Sequence, residues 1–189
     1  MLDIAAYGLA FALILFIAVL FWVVSLVRND VSIVDSLWSL MFLLILTLYM
    51  GITGEQGPRG WLVLALVAIW AIRLSVFIAI RNHGQPEDLR YQTIRKNNEP
   101  NFAFKSLYIV FGLQAVLAGL ISMPLLVAAS GSSSLTWLDA LGVTLWLVGM
   151  FFEVTGDWQL AKFKSDSNNR GKVLNTGLWR FTRHPNYFG

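Results

Sequence analysis

The sequence contains no cysteine and only two histidines, His83 and His184. Without cysteine the chain can form no disulfide, no thiolate metal site and no cysteine nucleophile. Two histidines are too few for a His-rich metal centre, so we expect no metal site. Charged residues are also scarce, at 13% of the chain, whereas 57% of the residues are hydrophobic. Ordinary soluble domains do not have this balance, and the chain therefore requires a bilayer.

Five apolar stretches are long enough to cross the hydrocarbon core, which takes about 20 residues of helix. They cover residues 4–27, 31–50, 61–80, 106–129 and 135–154. Lipid offers no partner for backbone polar groups, and the stretches lack the alternation of barrel strands, so each is predicted to be a helix. The predicted fold is all-α, with a polytopic transmembrane bundle of five helices in residues 1–156 and a polar cytoplasmic segment at 157–189.

The distribution of cations predicts the orientation of the helices, because Lys and Arg near helix ends stay in the cytoplasm. With the N-terminus outside, nearly all of the 14 Lys and Arg residues lie on the cytoplasmic side. The exceptions are Arg59, which is outside, and Arg73, which lies within the third stretch. Residues 81–105 and 157–189 are then both cytoplasmic. The first stretch exceeds the roughly 7–15 residues of a signal-peptide core and is predicted to remain as an anchor.

Asp35 and Arg73 are charged residues set inside apolar stretches, where an unpaired charge costs several kcal/mol. Both are therefore candidate functional residues, and their depths in the membrane would allow them to meet. A simpler interpretation is that Asp35 completes a capping box with Ser32 at the start of the second helix, while Arg73 extends its guanidinium to the interface. The sequence alone leaves both interpretations open.

The segment RNHGQPEDLRY, residues 81–91, is the first of two polar segments. It combines charges of both signs with a histidine and Tyr91, a set that serves acid–base chemistry or phosphate binding, or is simply solvated. The second is the tail, which has no glycine-rich phosphate loop, so side chains would have to hold any phosphate. Its cations fit a dinucleotide or an anionic lipid surface, and composition alone favours the lipid surface. Nucleic acid is not expected, because the aromatic residues are tied to a membrane-proximal segment.

The string GLWRFTRHPNYFG, residues 177–189, resembles the signature of the membrane steroid-reductase superfamily, which includes steroid 5-alpha-reductases, sterol reductases and the bacterial DUF1295 proteins. The closest resemblance is to DUF1295. Further matches are SIVDSLWS at 32–39, the loop RNHGQPEDLRY, and the spacing of DWQLxxFK at 157–164. Together these matches cover most of the chain. Isoprenylcysteine carboxyl methyltransferases share a related RHPxYxG element and use S-adenosylmethionine.

The resemblance implies that residues 157–189 begin a region that binds NADPH. The cofactor-binding residues that it implies are Asp157, Lys164, Trp179, Arg183, Asn186 and Tyr187. The position of Glu153 is an asparagine in steroid 5-alpha-reductases, and that of Leu160 is a lysine in sterol reductases, so the phosphate contacts are expected to differ. In the 5-alpha-reductases the group that polarises the substrate carbonyl lies on or near helices two and three, where Asp35 and Tyr91 are the catalytic candidates.

The implied function is NADPH-dependent reduction of a C=C bond conjugated to a carbonyl in a steroid-like or other lipid substrate. One alternative is an S-adenosylmethionine-dependent methyltransferase of a lipid or prenylated acceptor. Another is a non-catalytic protein whose tail binds membrane lipids. In the families that it resembles, the pattern continues past the position of Gly189 with an acidic residue, further helices and more cofactor contacts. The chain is therefore expected to be a fragment.

Overall fold

The computed structural model describes residues 3–54, 56–132 and 134–187, and these residues confirm the predicted all-α fold. The long helices of the first part of the chain are α1 (Ile4–Arg28), α2 (Ile33–Thr53) and α3 (Pro58–Asn82). They are followed by α4 (Leu89–Asn97), α5 (Phe102–Ser106), a π-helical segment (Leu107–Gly112), α6 (Leu113–Ala129) and α7 (Trp137–Ser165). Three short 3₁₀ helices follow in the described residues, at Ser167–Asn169, Gly177–Arg180 and Pro185–Tyr187.

Five helices in the described residues are long and apolar enough to cross a membrane. They are α1, α2, α3, the continuous helix Phe102–Ala129 and α7. The chain is a multi-pass membrane protein. Four of the predicted stretches begin and end within a few residues of the corresponding helices. The fifth differs, because α7 continues to Ser165 through a stretch in which hydropathy falls but helix-forming residues such as Ala161 and Lys162 persist.

The chain divides into two compact units, Met1–Ser134 and Leu135–Gly189. The division therefore precedes α7, whereas the boundary predicted at 156 falls inside that helix. In the first unit α2 packs against α1, α3 and α6. Its buried side chains form the centre of this unit and include Val34, Leu37, Met41, Ile45, Leu46 and Tyr49.

Helix α1 approaches its neighbours through a line of mostly small residues spaced four apart, Ala6, Ala10, Ile14 and Ala18, all of which are buried. Small side chains at this spacing allow helix backbones to approach closely in a membrane. On α6, a Cβ atom at Gly119 would lie 2.5 Å from the ring of Phe11. Glycine at this position therefore permits the close approach of Phe11 to α6.

One end of this bundle is held together by Tyr49, near the C-terminus of α2. Its hydroxyl accepts a hydrogen bond from the backbone N–H of Asp3 at 2.9 Å and lies 3.0 Å from Ser130 Oγ. Because Ser130 Oγ donates to the Leu126 carbonyl at 2.7 Å, Tyr49 is the donor in the contact with Ser130. Uncharged groups thus connect the ends of three helices at this end of the bundle.

Candidate active site

The opposite end of the bundle carries a cluster of charged residues that begins with the loop after α3. Asp88 is the N-cap of α4, and its carboxylate accepts a hydrogen bond from the Arg90 backbone N–H at 2.9 Å. Aspartate is among the preferred N-cap residues because it satisfies an otherwise unpaired helix N–H. The cap fixes where α4 begins and so places Arg90 and Tyr91 in its first turn. Asp35 lies in the first turn of α2.

These residues form a hydrogen-bonded cluster around the Asp35 carboxylate. Tyr91 donates its hydroxyl proton to Asp35 Oδ1 at 2.6 Å, and Arg90 Nη2 lies 2.8 Å from Asp35 Oδ2. Gln114 of α6 donates an amide N–H to the Tyr91 hydroxyl at 3.3 Å. Tyr91 is 6% exposed, whereas the Arg90 side chain is 63% exposed. A buried phenol therefore links a carboxylate on one helix to an amide on another.

The surroundings of Tyr91 hold its hydroxyl in the protonated form. Burial, the charge of Asp35 and the hydrogen bond to that carboxylate all raise the pKa of Tyr91 well above its usual range. The hydrogen bond to Asp88 raises the pKa of Arg90 further. Burial alone would raise the pKa of Asp88, but hydrogen bonds from Arg90 outweigh it and lower that pKa. The cluster thus places a neutral phenol on one oxygen of the Asp35 carboxylate and a permanent cation on the other.

A second ion pair holds the loop against the start of α2. Glu87 accepts two hydrogen bonds from Arg95, at 2.8 and 3.0 Å, and a third from the Val31 backbone N–H at 2.9 Å. The Arg95 guanidinium also lies 4.6 Å from the centre of the Phe102 ring. The hydrogen bond to Glu87 raises the pKa of Arg95. These contacts fix the position of α4, and with it the position of Tyr91.

The structure brings together Asp35 and Tyr91, the two catalytic candidates that the sequence provided. The capping box predicted for Ser32 and Asp35 does not form, because the Ser32 hydroxyl donates to Asp30 and Asp35 faces α4. The ion pair of Asp35 is with Arg90 and not with Arg73. Sequence reasoning missed Arg90 as a member of the site, although its place next to Tyr91 in a charged loop was a usable signal.

The second unit uses three of the predicted cofactor-binding residues for internal contacts with α7. Trp179 Nε1 donates to the Gly156 carbonyl at 3.0 Å, and Asn186 Nδ2 donates to Asp157 Oδ1 at 3.0 Å. A Cβ atom at Gly156 would lie 3.1 Å from the Asn186 backbone nitrogen, so glycine permits this close packing. Asn186 Oδ1 is buried and has no hydrogen-bond partner among the described residues. It could accept a hydrogen bond from a bound group.

Lys164, another predicted cofactor-binding residue, lines a cleft of about 510 Å³ at the end of α7, which we call the basic cleft. Arg170 and Lys172 line the same cleft, together with Asp166 and the amide-bearing Asn169. Three cations around one cleft suit an anionic group. Sequence reasoning did not single out Arg170 or Lys172, because only the turn after α7 brings them back to Lys164.

The remaining two predicted cofactor-binding residues, Arg183 and Tyr187, have exposed side chains. Tyr187 is 74% exposed, and its ring stacks on that of His184 with 5.1 Å between the ring centres. Neither Arg183 nor Tyr187 lines the basic cleft. The six predicted residues therefore divide between internal contacts, the cleft and the exposed surface of this unit.

A family model described as "Protein of unknown function (DUF1295)" matches residues 21–189, which include the Asp35–Tyr91 cluster and the basic cleft. The chain belongs to the DUF1295 family. The predicted membership is confirmed. Searches of curated proteins and of solved structures found no match to this DUF1295 chain. Its function must therefore be argued from the two sites themselves.

Proposed function

We propose that this DUF1295 protein is a membrane reductase that uses NADPH to reduce a C=C bond conjugated to a carbonyl in a steroid-like or other lipid substrate. The observation that carries the proposal is the 2.6 Å hydrogen bond between Tyr91 and Asp35, with Arg90 on the other carboxylate oxygen. A carbonyl substrate needs a hydrogen-bond donor at its oxygen, where negative charge develops during reduction. The Tyr91 hydroxyl is such a donor.

The raised pKa of Tyr91 suits this role, because the hydroxyl stays protonated at neutral pH. We propose that the carbonyl oxygen of the substrate replaces Asp35 as the acceptor of the Tyr91 hydrogen bond. Arg90 then retains the Asp35 carboxylate, and Gln114 continues to donate to the phenol oxygen. Hydride addition at the β-carbon leaves a negative charge on the carbonyl oxygen, which the Tyr91 hydrogen bond stabilises, and a proton from solvent then reaches the α-carbon to complete the reduction.

The basic cleft supports the cofactor part of the proposal. Lys164, Arg170 and Lys172 would hold phosphate groups of NADPH, and the buried Asn186 Oδ1 offers an acceptor for an amide N–H. When bound, NADPH supplies the hydride for the reduction. These residues would bind and orient the nucleotide, whereas Asp157 and Trp179 act by supporting Asn186 and the turn that carries it.

The proposal includes the membrane orientation inferred from the cations, with the N-terminus outside and residues 81–105 and 157–189 in the cytoplasm. NADPH is a cytoplasmic cofactor, so the basic cleft must face that compartment. A lysine-reactive reagent that cannot cross membranes should modify Lys172 only after the membrane of intact cells has been opened. Labelling of intact cells would contradict the proposal.

The main test uses the full-length protein, purified and placed in lipid nanodiscs. NADPH should bind, with quenching of its fluorescence, and should be consumed when a steroid enone or another conjugated lipid ketone is added. Lys172→Gln should weaken NADPH binding about fivefold, as expected for one phosphate contact near a membrane. Lys96→Gln, which alters a cation outside the cleft, is the matched control and should have no effect.

Three outcomes would replace the reductase proposal. Binding of S-adenosylmethionine without binding of NADPH would favour the methyltransferase. Binding of neither cofactor, with salt-sensitive binding of the tail to anionic vesicles, would favour a non-catalytic lipid-binding protein. NADPH consumption that does not require a conjugated carbonyl would show that the substrate class is wrong.

A further inference from the structure

A second cleft, with a volume of about 730 Å³, lies in the first unit where α1 and α3 end and α2 begins. Its apolar lining comes from Phe21, Ile33 and Ala79. Its polar lining includes Arg28 and His83 at the ends of α1 and α3. The volume is that of a small-molecule site, and helix ends of this kind lie at the level of the lipid headgroups.

The cleft contains polar side chains that have no partner among the described residues. Among the described residues, the side chains of Arg28 and His83 form no hydrogen bond or ion pair, and Arg28 is exposed. Asp30 also lines the cleft, and its Oδ1 accepts hydrogen bonds from the backbone and the hydroxyl of Ser32. Asp30 Oδ2 has no partner within the described part of the chain.

The other carboxylate of the cleft, Glu87, is already neutralised by its two hydrogen bonds with Arg95. Arg95 also lies close enough to Asp30 for the charge of Asp30 to contribute to the raised pKa of Arg95. The cleft therefore offers one unpaired guanidinium, one histidine and one carboxylate oxygen in need of a donor. A purely anionic ligand would satisfy Arg28 but would be repelled by Asp30.

We propose that this cleft binds the zwitterionic headgroup of an amine-bearing glycerophospholipid, of which phosphatidylethanolamine is the simplest. The phosphodiester lies against Arg28 and His83, and the ammonium group donates to Asp30. The first carbons of the acyl chains lie along Phe21, Ile33 and Ala79. This lipid site is separate from the proposed reductase chemistry. It would bind one class of phospholipid at the end of the bundle where α1 and α3 end and α2 begins.

The test measures lipid retention by native mass spectrometry on the full-length protein after detergent delipidation. Phosphatidylethanolamine should bind about fivefold more tightly than phosphatidylcholine, which cannot donate a hydrogen bond to Asp30, and more tightly than phosphatidylglycerol. Phosphatidylglycerol binding as tightly as phosphatidylethanolamine would overturn the proposal, because a merely cationic surface predicts that result.

Two variants separate the two halves of the headgroup. Arg28→Gln should weaken the binding of every phospholipid about fivefold. Asp30→Asn keeps an oxygen for the Ser32 hydrogen bonds but should abolish the preference for phosphatidylethanolamine over phosphatidylcholine. Lys96→Gln, a cation of the same polar segment outside the cleft, is the control. Unchanged lipid preference in Asp30→Asn, with an unchanged melting temperature, would overturn the proposal.

Soluble phosphoethanolamine identifies the source of the ligand. It lacks acyl chains and therefore should not displace phosphatidylethanolamine at an equal concentration. Displacement at equal concentration would overturn the assignment to a membrane lipid, because the apolar lining would then contribute nothing to binding.

Discussion

The two ends of the first unit are each connected by a buried tyrosine hydroxyl, but the partners of the two hydroxyls differ. Tyr49 bonds to a backbone N–H and to Ser130, both of which are neutral. Tyr91 bonds to the Asp35 carboxylate, which is itself paired with Arg90. The two phenols are similarly buried, at 1% and 6% exposure, so burial alone does not distinguish a structural tyrosine from a candidate catalytic one.

The difference lies in what each hydroxyl could do if a ligand arrived. When Tyr49 is drawn away, the Asp3 N–H loses its acceptor, and Ser130 keeps only its hydrogen bond to the Leu126 carbonyl. At the other end Arg90 still holds Asp35 when Tyr91 turns to a new acceptor. The charged cluster can therefore exchange a partner at lower cost, and this is the property that a binding site for a carbonyl needs.

The largest expected effect is on activity. Tyr91→Phe should reduce the rate of enone reduction about 100-fold, because it removes the proposed hydrogen-bond donor at the carbonyl oxygen. Tyr49→Phe should leave the rate per folded molecule unchanged. The measurement is NADPH consumption in nanodiscs with a conjugated lipid ketone. Equal losses in the two variants would mean that the two ends do not differ in function.

Stability should show the reverse order. Tyr49→Phe should lower the free energy of unfolding by about 1–2 kcal/mol, because the Asp3 N–H and the Ser130 hydroxyl each lose a partner. Denaturant unfolding in mixed micelles measures this change. Tyr108→Phe is the matched control, since Tyr108 is 56% exposed and should be insensitive to the change. A Tyr49→Phe protein as stable as the control would contradict the structural role.

A smaller effect concerns salt. Arg90→Gln should cost only about 0.5 kcal/mol at low ionic strength, because the Arg90 side chain is 63% exposed and solvent screens its ion pair with Asp35. The cost should shrink further near 1 M salt. Melting curves of the wild type and the variant at two salt concentrations test this. The loss caused by Tyr49→Phe should not depend on salt.

The smallest effect is spectroscopic. The pKa of Tyr91 is raised above its ordinary value of 10.0, so Tyr91 should remain protonated while exposed tyrosines ionise. The folded state holds the Tyr91 proton more tightly than the unfolded state does. The resulting stability is therefore fully present below the ordinary tyrosine pKa, and it is lost as the pH rises toward the folded-state pKa. Ultraviolet titration of Tyr91→Phe should match the wild type up to about pH 11. If Tyr91→Phe showed less tyrosinate absorbance than the wild type below that pH, Tyr91 would be ionising in its ordinary range, and the raised pKa would be contradicted.

Hydropathy was sufficient to predict the five helices, because the hydrocarbon core requires each span to be long and apolar. Hydropathy did not predict where α7 ends, because the residues after 154 are no longer apolar enough to indicate a membrane span. Helix propensity and the cations Lys162 and Lys164 near its C-terminus nevertheless favour a helix as far as Ser165. The short helix α4 was also missed. It depends on the Asp88 cap and on tertiary contacts, and its composition resembles that of a solvated loop.

The candidate site could be predicted only in part. Asp35 and Tyr91 were identifiable one at a time, from an intramembrane charge and from the resemblance to reductases. Their hydrogen bond spans 56 positions of sequence, and it depends on the Glu87–Arg95 pair that places α4 over α2. The division of the six tail residues between internal contacts and the cleft likewise depends on how the chain turns after α7.

The π-helical segment Leu107–Gly112 interrupts the fourth span shortly before Gln114. A π-helical turn contains one residue more than an α-helical turn would need. Removing one residue from 107–112 would restore regular α-helix and rotate the two parts of the span by about 100° relative to each other. The direction in which Gln114 points, toward the Tyr91 hydroxyl, is therefore set by the length of the preceding segment as much as by the residue type at 114.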